Sequence, residues 1–429
     1  MFRCGRGKRR RRINAYIRDL ARLNRDVKLY LVALAVFGLT MMNGIYPVLF
    51  NLYLLRLGYG AEFIGMLSAV GLLGYTIFSF PASIIGSRLG VHRAMTLGMA
   101  VAVLFFGVQP LLQFDAVLWN KVGLLVSRPI ATMGLALIFV NSTPFLSGAT
   151  SAQERNHAYS MRGVADALSG FFGSLIGGVL PGLLAPLLGV SPDDPLSFRY
   201  ALLIATVLCT PAIVALFAIR EPHHTETGAR TAASVGAAPV QLIVVMALAV
   251  MLRSTGVGAS RTFFNVYLDD GLGVPTIKIG ALFAVAQLIA ALVVMTMPVM
   301  AKRWGNYRLI LWGSCGIAVS LLPLALIPNW IAATLGRIGI YTLSSVTDPA
   351  IGVFQMESVS PRWRSMMAGA SSMALGASWT IFAFGGGYMI VAFSYRALFL
   401  TAAALTVVGA ALFGFYFRTR TQGEFQPGC

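Results

Sequence analysis

Two stretches of this chain, 214 residues apart, carry nearly the same residues: Phe50-Asn51-Leu52-Tyr53-Leu54 and Phe264-Asn265-Val266-Tyr267-Leu268. One register step later, Ile64-Gly65 returns as Ile279-Gly280. Arg88-Leu89-Gly90-Val91-His92-Arg93 returns as Arg303-Trp304-Gly305-Asn306-Tyr307-Arg308, both at an offset of 215. In a chain of 429 residues that offset is half the length, so the sequence is two copies of one unit. A fold built from it has two similar halves. In an apolar chain, such halves can rock against each other around a site held between them.

Apolar residues make up 57% of the chain and charged ones 11%, against roughly 25% charged in a soluble domain. A helix needs about 20 apolar residues to cross roughly 30 Å of hydrocarbon. Twelve such stretches fit, at 29–54, 62–85, 94–114, 122–147, 161–188, 199–219, 241–268, 277–300, 306–327, 329–352, 365–392 and 395–417. The third is the weakest, because Gln109-Pro110 interrupts it. The reading is an all-α membrane protein with twelve transmembrane helices in two pseudo-symmetric six-helix bundles. A basic segment 1–28 precedes a bundle over 29–220; a linker 221–238 leads to a second bundle over 239–418 and a tail 419–429.

A net charge of +18 would suit nucleic acid if it were gathered on one soluble face, so its distribution matters more than its size. With both termini cytoplasmic, inner segments hold 24 of the 33 Lys and Arg, whereas the outer loops hold only Arg56, Lys121, Arg199, Lys278 and Arg396. That asymmetry reports orientation in a cytoplasmic (inner) cell membrane, and no nucleic-acid partner is expected. Ile13, Ile17 and Leu20 share one helical face among the basic residues of 1–28, which fits an interfacial helix on an anionic inner leaflet. The next apolar run is too long for a cleavable signal. The four cysteines show no ligand or disulfide spacing, and His223-His224 sits in a polar linker. Neither a metal nor a cofactor is expected.

A charge inside hydrocarbon costs several kcal/mol, so each one retained marks a candidate site. Four arginines qualify: Arg253, Arg337, Arg128 and Arg261. Arg253 lies about 18 Å into its span by the 1.5 Å rise, near the midplane, and is the first candidate to hold substrate. Arg128 and Arg337 fall at roughly matching depths in the two halves. Arg337, Tyr341, Ser344 and Asp348 share one face of an otherwise apolar helix, and Asn43, Tyr46, Gln287 and Trp379 lie at similar depth in theirs. Asp348 and Asp166 are the candidate proton-coupling acids, although Arg162, one turn before Asp166, offers a plain structural partner.

These motifs resemble the major facilitator superfamily from residue 29 to 418. In that family the loop between spans 2 and 3 reads G-x-L-A-D-R-x-G-R-R, with a weaker copy between spans 8 and 9. Arg88 and Gly90 match in the first half and Arg303 and Gly305 in the second. Ser83 replaces the opening Gly, Ser87 and Lys302 stand where the acid would be, and the basic pair is reduced to Arg93 and Arg308. Leu124-x-x-x-Arg128 resembles a second family motif, and Gly173-x-x-x-Gly177-Gly178-x-x-Pro181-Gly182 resembles the antiporter motif. Small residues at that spacing also serve close helix packing.

The resemblance implies a secondary transporter; the duplication fits movement of a small solute by alternating access, and a monomer is expected. Arg88, Gly90, Arg93, Arg303, Gly305 and Arg308 read as gating and topology elements, because a short turn between helices needs glycine and its flanking arginines can meet helix carbonyls and anionic lipid. Excess buried arginine over acid favours an organic anion, because arginine binds carboxylate or phosphate bidentately. Efflux of amphipathic compounds is the alternative, which pairing of Arg253 with Asp348 would favour. A non-transporting sensor or assembly factor is a third reading. No phosphate-loop Gly-Lys-Ser/Thr and no nucleophile–base or metal-ligand cluster points to an enzyme.

Overall fold

In the computed structural model, residues 24–113, 117–150, 152–219, 239–360 and 363–423 are described. The expected interfacial helix before residue 24, the linker 221–238 and residues 424–429 lie outside them. The described residues are helical, with no strand. Grouped across their breaks, the helices are α1 (Arg25–Arg56), α2 (Ala61–Leu89), α3 (Val91–Leu111), α4 (Val117–Ala149), α5 (Ala152–Leu188) and α6 (Pro195–Phe217) in the first bundle. The second holds α7 (Val240–Gly271), α8 (Thr276–Val294), α9 (Met297–Leu326), α10 (Trp330–Glu357), α11 (Arg364–Ala392) and α12 (Tyr395–Gly423).

Eleven of these helices are long and apolar enough to cross a membrane. The exception is α10, whose stripe of Arg337, Tyr341, Ser344 and Asp348 dilutes its hydropathy. Gln109-Pro110 forms a short 3₁₀ turn that closes α3 rather than interrupting it.

The duplication is written in the backbone. Gly58 and Gly273, 215 residues apart, have φ of 80° and 61°, and Gly90 and Gly305, at the same offset, have φ of 93° and 76°. These left-handed positions suit glycine because a Cβ would clash there. Gly305 therefore divides α9, and the segment before it takes the place in the repeat of the end of α2. Both α1 and α7 are also broken. The first has a π-helical turn at Gly38–Met42 before restarting at Ile45, and the second stops at Arg253 and restarts at Thr255. A break inside hydrocarbon exposes backbone groups that a neighbour must satisfy. The Thr406 hydroxyl of α12 does so in part, accepting from the Gly256 N–H at 3.2 Å, and the Thr255 hydroxyl donates back to the Leu252 carbonyl at 2.9 Å.

The two bundles meet through α2 against α11, α5 against α8, and α1 against α7. At the first seam a Cβ on Gly65 would lie 3.3 Å from the Gly387 Cα, and at the second one on Gly280 would lie 2.5 Å from the Gly178 Cα. Between them the repeated asparagines meet. Asn51 Nδ2 donates to the Thr262 carbonyl at 3.0 Å, and Asn265 Nδ2 donates to the Val48 carbonyl at 3.3 Å. Val48 and Thr262 are themselves 214 residues apart, so the bonds are reciprocal about the pseudo-two-fold. These contacts run from mid-helix to the end carrying Arg56 and seal the bundles there. Asn265→Leu is expected to weaken this seal by about 1–2 kcal/mol, the effect of stranding a buried polar partner. Faster alkylation of a cysteine placed at Thr276, just outside the seal, measures it; an unchanged rate would show that the pair does not hold the bundles together.

Candidate functional site

Below the seal lies a cavity of about 550 Å³. Its wall takes Met41, Met42, Tyr46, Phe50 and Asn51 from α1, Leu72 and Tyr75 from α2, and Arg128, Thr132 and Phe139 from α4; the second bundle adds Gly258, Arg261 and Thr262 from α7, and Leu375 and Trp379 from α11. The wall is aromatic and aliphatic with two arginines, one per bundle. No Asp or Glu is among its lining residues.

Arg128 stands with its guanidinium 4.9 Å from the Phe50 ring centre and 5.3 Å from that of Phe106, within cation–π range. Gly71 makes room for its stem, since a Cβ there would come 3.1 Å from the Arg128 Cγ. One Nη is 3.5 Å from Gln109 Oε1, and Nε is buried with no acceptor. Arg261 is exposed and lies 5.1 Å over the Trp379 ring. That indole packs on the bare backbone of Gly258, where a Cβ would come within 2.8 Å of its Cδ1, and its Nε1 is buried without an acceptor. The wall thus offers unmatched donors and positive charge within an apolar enclosure.

The other two arginines lie elsewhere. Arg253, expected to face substrate, is 4% exposed and pairs with Asp348 Oδ1 at 2.6 Å, with Thr347 Oγ1 at 3.2 Å. It ends the first half of α7 and reaches α10, not the cavity wall. Arg337 is 1% exposed and donates to the carbonyl and hydroxyl of Ser260 at 2.5 and 2.8 Å. Its guanidinium lies 4.9 Å from the Phe264 and Phe283 ring centres and 4.2 Å from that of Tyr341, inside the second bundle. Arg128 and Arg337 therefore rest on the two copies of one repeated phenylalanine, Phe50 and Phe264.

Among the neutral candidates, Trp379 and the ring of Tyr46 line the cavity, but the Tyr46 hydroxyl is tied to Gln109 Oε1 at 2.8 Å. Asn43 and Gln287 belong to the seam between bundles: Gln287 Nε2 donates to Ser174 Oγ at 2.8 Å and to the Asn43 carbonyl at 3.2 Å. Tyr341 serves Arg337. Of the acids, Asp348 is engaged by Arg253, and Asp166 sits half-buried on α5 away from the cavity wall.

Arg88, Arg93, Arg303 and Arg308 are exposed around the turns at Gly90 and Gly305. Of the motif glycines on α5, Gly173, Gly177 and Gly178 act in packing, whereas a Cβ on Gly182 would meet nothing within 4 Å. A Cβ on Gly173 would come 2.6 Å from the Gly44 Cα, one on Gly177 would come 3.0 Å from the Ile45 Cα, and one on Gly178 would come 2.9 Å from the Gly280 Cα.

Sequence reasoning missed Gln109, buried to 1% and seating both Tyr46 and Arg128. It also missed Asn51 on the wall, although the repeat singles that residue out.

The sequence matches the family model of the Major Facilitator Superfamily over residues 32–346 and again over 246–427, the second match opening 214 residues after the first. Among curated proteins, none matches it at a significant level. The fold is similar to that of a point mutant of the nucleoside transporter NupG, with a TM-score of 0.72 and 13% identity, covering 92% of this chain and 100% of that one. It is also similar to a bacterial homologue of the human lysosomal transporter Spinster in an inward-facing, occupied conformation (TM-score 0.71, 14% identity, 94% and 98% covered). The xylose transporter XylE from E. coli, in an inward-open conformation, matches with a TM-score of 0.68 and 14% identity over 90% and 95%. Twelve helices among the described residues, in two repeated bundles with a cavity between them, and a family match spanning nearly the whole chain place this chain in the Major Facilitator Superfamily, as a multi-pass membrane transporter and not an enzyme.

Proposed function

We propose that the protein carries an amphipathic organic anion by alternating access, holding its charged group between Arg128 and Arg261. The observation that carries this is the pair of arginines contributed by opposite bundles to a cavity whose lining residues include no acid. Both guanidinium groups lie against aromatic rings and keep donors free, so a carboxylate or phosphate supplies what the wall lacks. Because the two charges sit on different bundles, an anion bound between them would draw the bundles together. The exposed Arg88, Arg93, Arg303 and Arg308 suit an anionic leaflet, which supports a cytoplasmic location for that end of the molecule.

A second reading, efflux of uncharged amphiphiles, draws on the aromatic and methionine-bearing wall and on the neutralisation of Arg253 by Asp348. Proteoliposome flux of 1-naphthoate against its uncharged carboxamide separates the two. Arg128→Gln and Arg261→Gln are each expected to lower transport efficiency for the carboxylate about tenfold or more, the loss of one charge-assisted contact. The amide should change little. Flux of the amide at least equal to that of the carboxylate, insensitive to both substitutions, would establish efflux of neutral compounds instead.

A further inference from the structure

Beyond the seal lies a second cleft of about 620 Å³, lined by Arg56, Asp193, Asp269 and Asp270 with the glycine- and proline-rich ends of α5 and α8. Arg56 is the last residue of α1, the helix that also supplies Asn51 to the cavity wall below. It therefore stands on the path from the cavity to this end of the molecule. Its two Nη atoms grip Asp269 of the opposite bundle as a fork, at 2.5 and 2.7 Å, and one also meets Asp193 of its own bundle at 3.0 Å. Asp269 is nearly buried, its side chain 8% exposed, whereas that of Asp193 is 77% exposed. The Arg56 Nε is buried with no acceptor, and the guanidinium faces the Phe198 ring at 5.5 Å.

We infer that Arg56 is an outer binding subsite for the substrate's carboxylate or phosphate, filled in this conformation by the carboxylate of Asp269. This rests on the anion reading of the cavity. When the bundles part at this end, Asp269 leaves with its own bundle, and Arg56 keeps only the solvated Asp193. The guanidinium is then a donor fork against an aromatic ring, as Arg128 is inside, with one solvated carboxylate beside it. Closing the seal returns Asp269 to the fork and displaces the anion. Substrate and Asp269 thus compete for one guanidinium, and closure at this end itself promotes release from Arg56.

A plain interbundle lock would use the same ion pair, so the test separates lock from subsite by sign. Half-saturating concentrations for 1-naphthoate are measured from the Arg56 side of sealed proteoliposomes of known orientation, for Arg56→Gln and Asp269→Asn. Both variants loosen the seal, read as faster alkylation of a cysteine at Thr276. A subsite predicts opposite shifts: about tenfold weaker from that side for Arg56→Gln, the loss of one charge-assisted contact, and tighter binding for Asp269→Asn. Shifts in the same direction for both overturn the subsite and leave only a lock. If the wild-type protein fails to distinguish 1-naphthoate from its carboxamide on either side, the anion reading falls, and the subsite with it.

Discussion

Gly280→Leu is expected to abolish transport while leaving the protein folded in the membrane. A Cβ at this position would come 2.5 Å from both the Gly178 Cα and the Ser174 carbonyl. Both obstacles are backbone, so no rotamer change relieves the clash and α5 must move away from α8. Overpacking at a site that can yield costs about 1–3 kcal/mol, and here the yielding element is the contact between bundles. Even about 3 kcal/mol changes a two-state ratio more than a hundredfold, enough to empty the state sealed at the Arg56 end. Gly65 on α2 makes the equivalent crossing with α11, and a substitution there should act alike. Gly280→Ala should retain part of the flux. Transport of a labelled substrate, together with alkylation of a cysteine at Thr276, checks this: flux should vanish while labelling accelerates. Flux near the wild-type rate would mean that the cycle does not pass through a glycine-to-glycine crossing.

That crossing is visible in the sequence only as a repeat. Ile64-Gly65 and Ile279-Gly280 stand out by their offset, and so do Gly90 and Gly305; the first pair leaves no room for a Cβ against the facing helix, and the second takes a positive φ that favours glycine. The twelve spans are legible for a different reason: hydrocarbon demands about 20 apolar residues per crossing, which leaves little freedom in where they fall. Depth is thus a one-dimensional property that the sequence carries. Facing is not. Arg128, Arg253, Arg261 and Arg337 are all deep by sequence position, yet two reach the cavity and two do not. What separates Arg253 is the break of α7 at Ser254 and an acid on α10, 95 residues away in sequence. What encloses Arg337 is three rings drawn from α7, α8 and α10, a neighbourhood that exists only once the bundle is packed. The polar stripe of α10 follows helical spacing, but it turns toward α7 of its own bundle at both ends, to Ser260 at Arg337 and to Arg253 at Asp348.

The pair made by that stripe carries an asymmetry that can be measured. Arg253 has a side chain 5% exposed, whereas Asp348, its partner at 2.6 Å, is 57% exposed. Removing one member of a buried pair costs about 3–5 kcal/mol when the charge left behind is buried, and little when it can be hydrated. Asp348→Ala strands the guanidinium with only the Thr347 hydroxyl and should cost about 3 kcal/mol, the lower end of that range, since the lost acid is itself more exposed than buried. Arg253→Met keeps the stem and leaves a carboxylate that is already exposed, so its cost should be about 1 kcal/mol. The double variant should resemble Arg253→Met alone, because the uncompensated charge has gone. Apparent melting temperatures in detergent, compared at one scan rate because membrane-protein unfolding is commonly irreversible, give the order. Equal losses for the two single variants would show that water reaches Arg253 as readily as Asp348, and the burial that separates this arginine from the substrate cavity would then no longer hold.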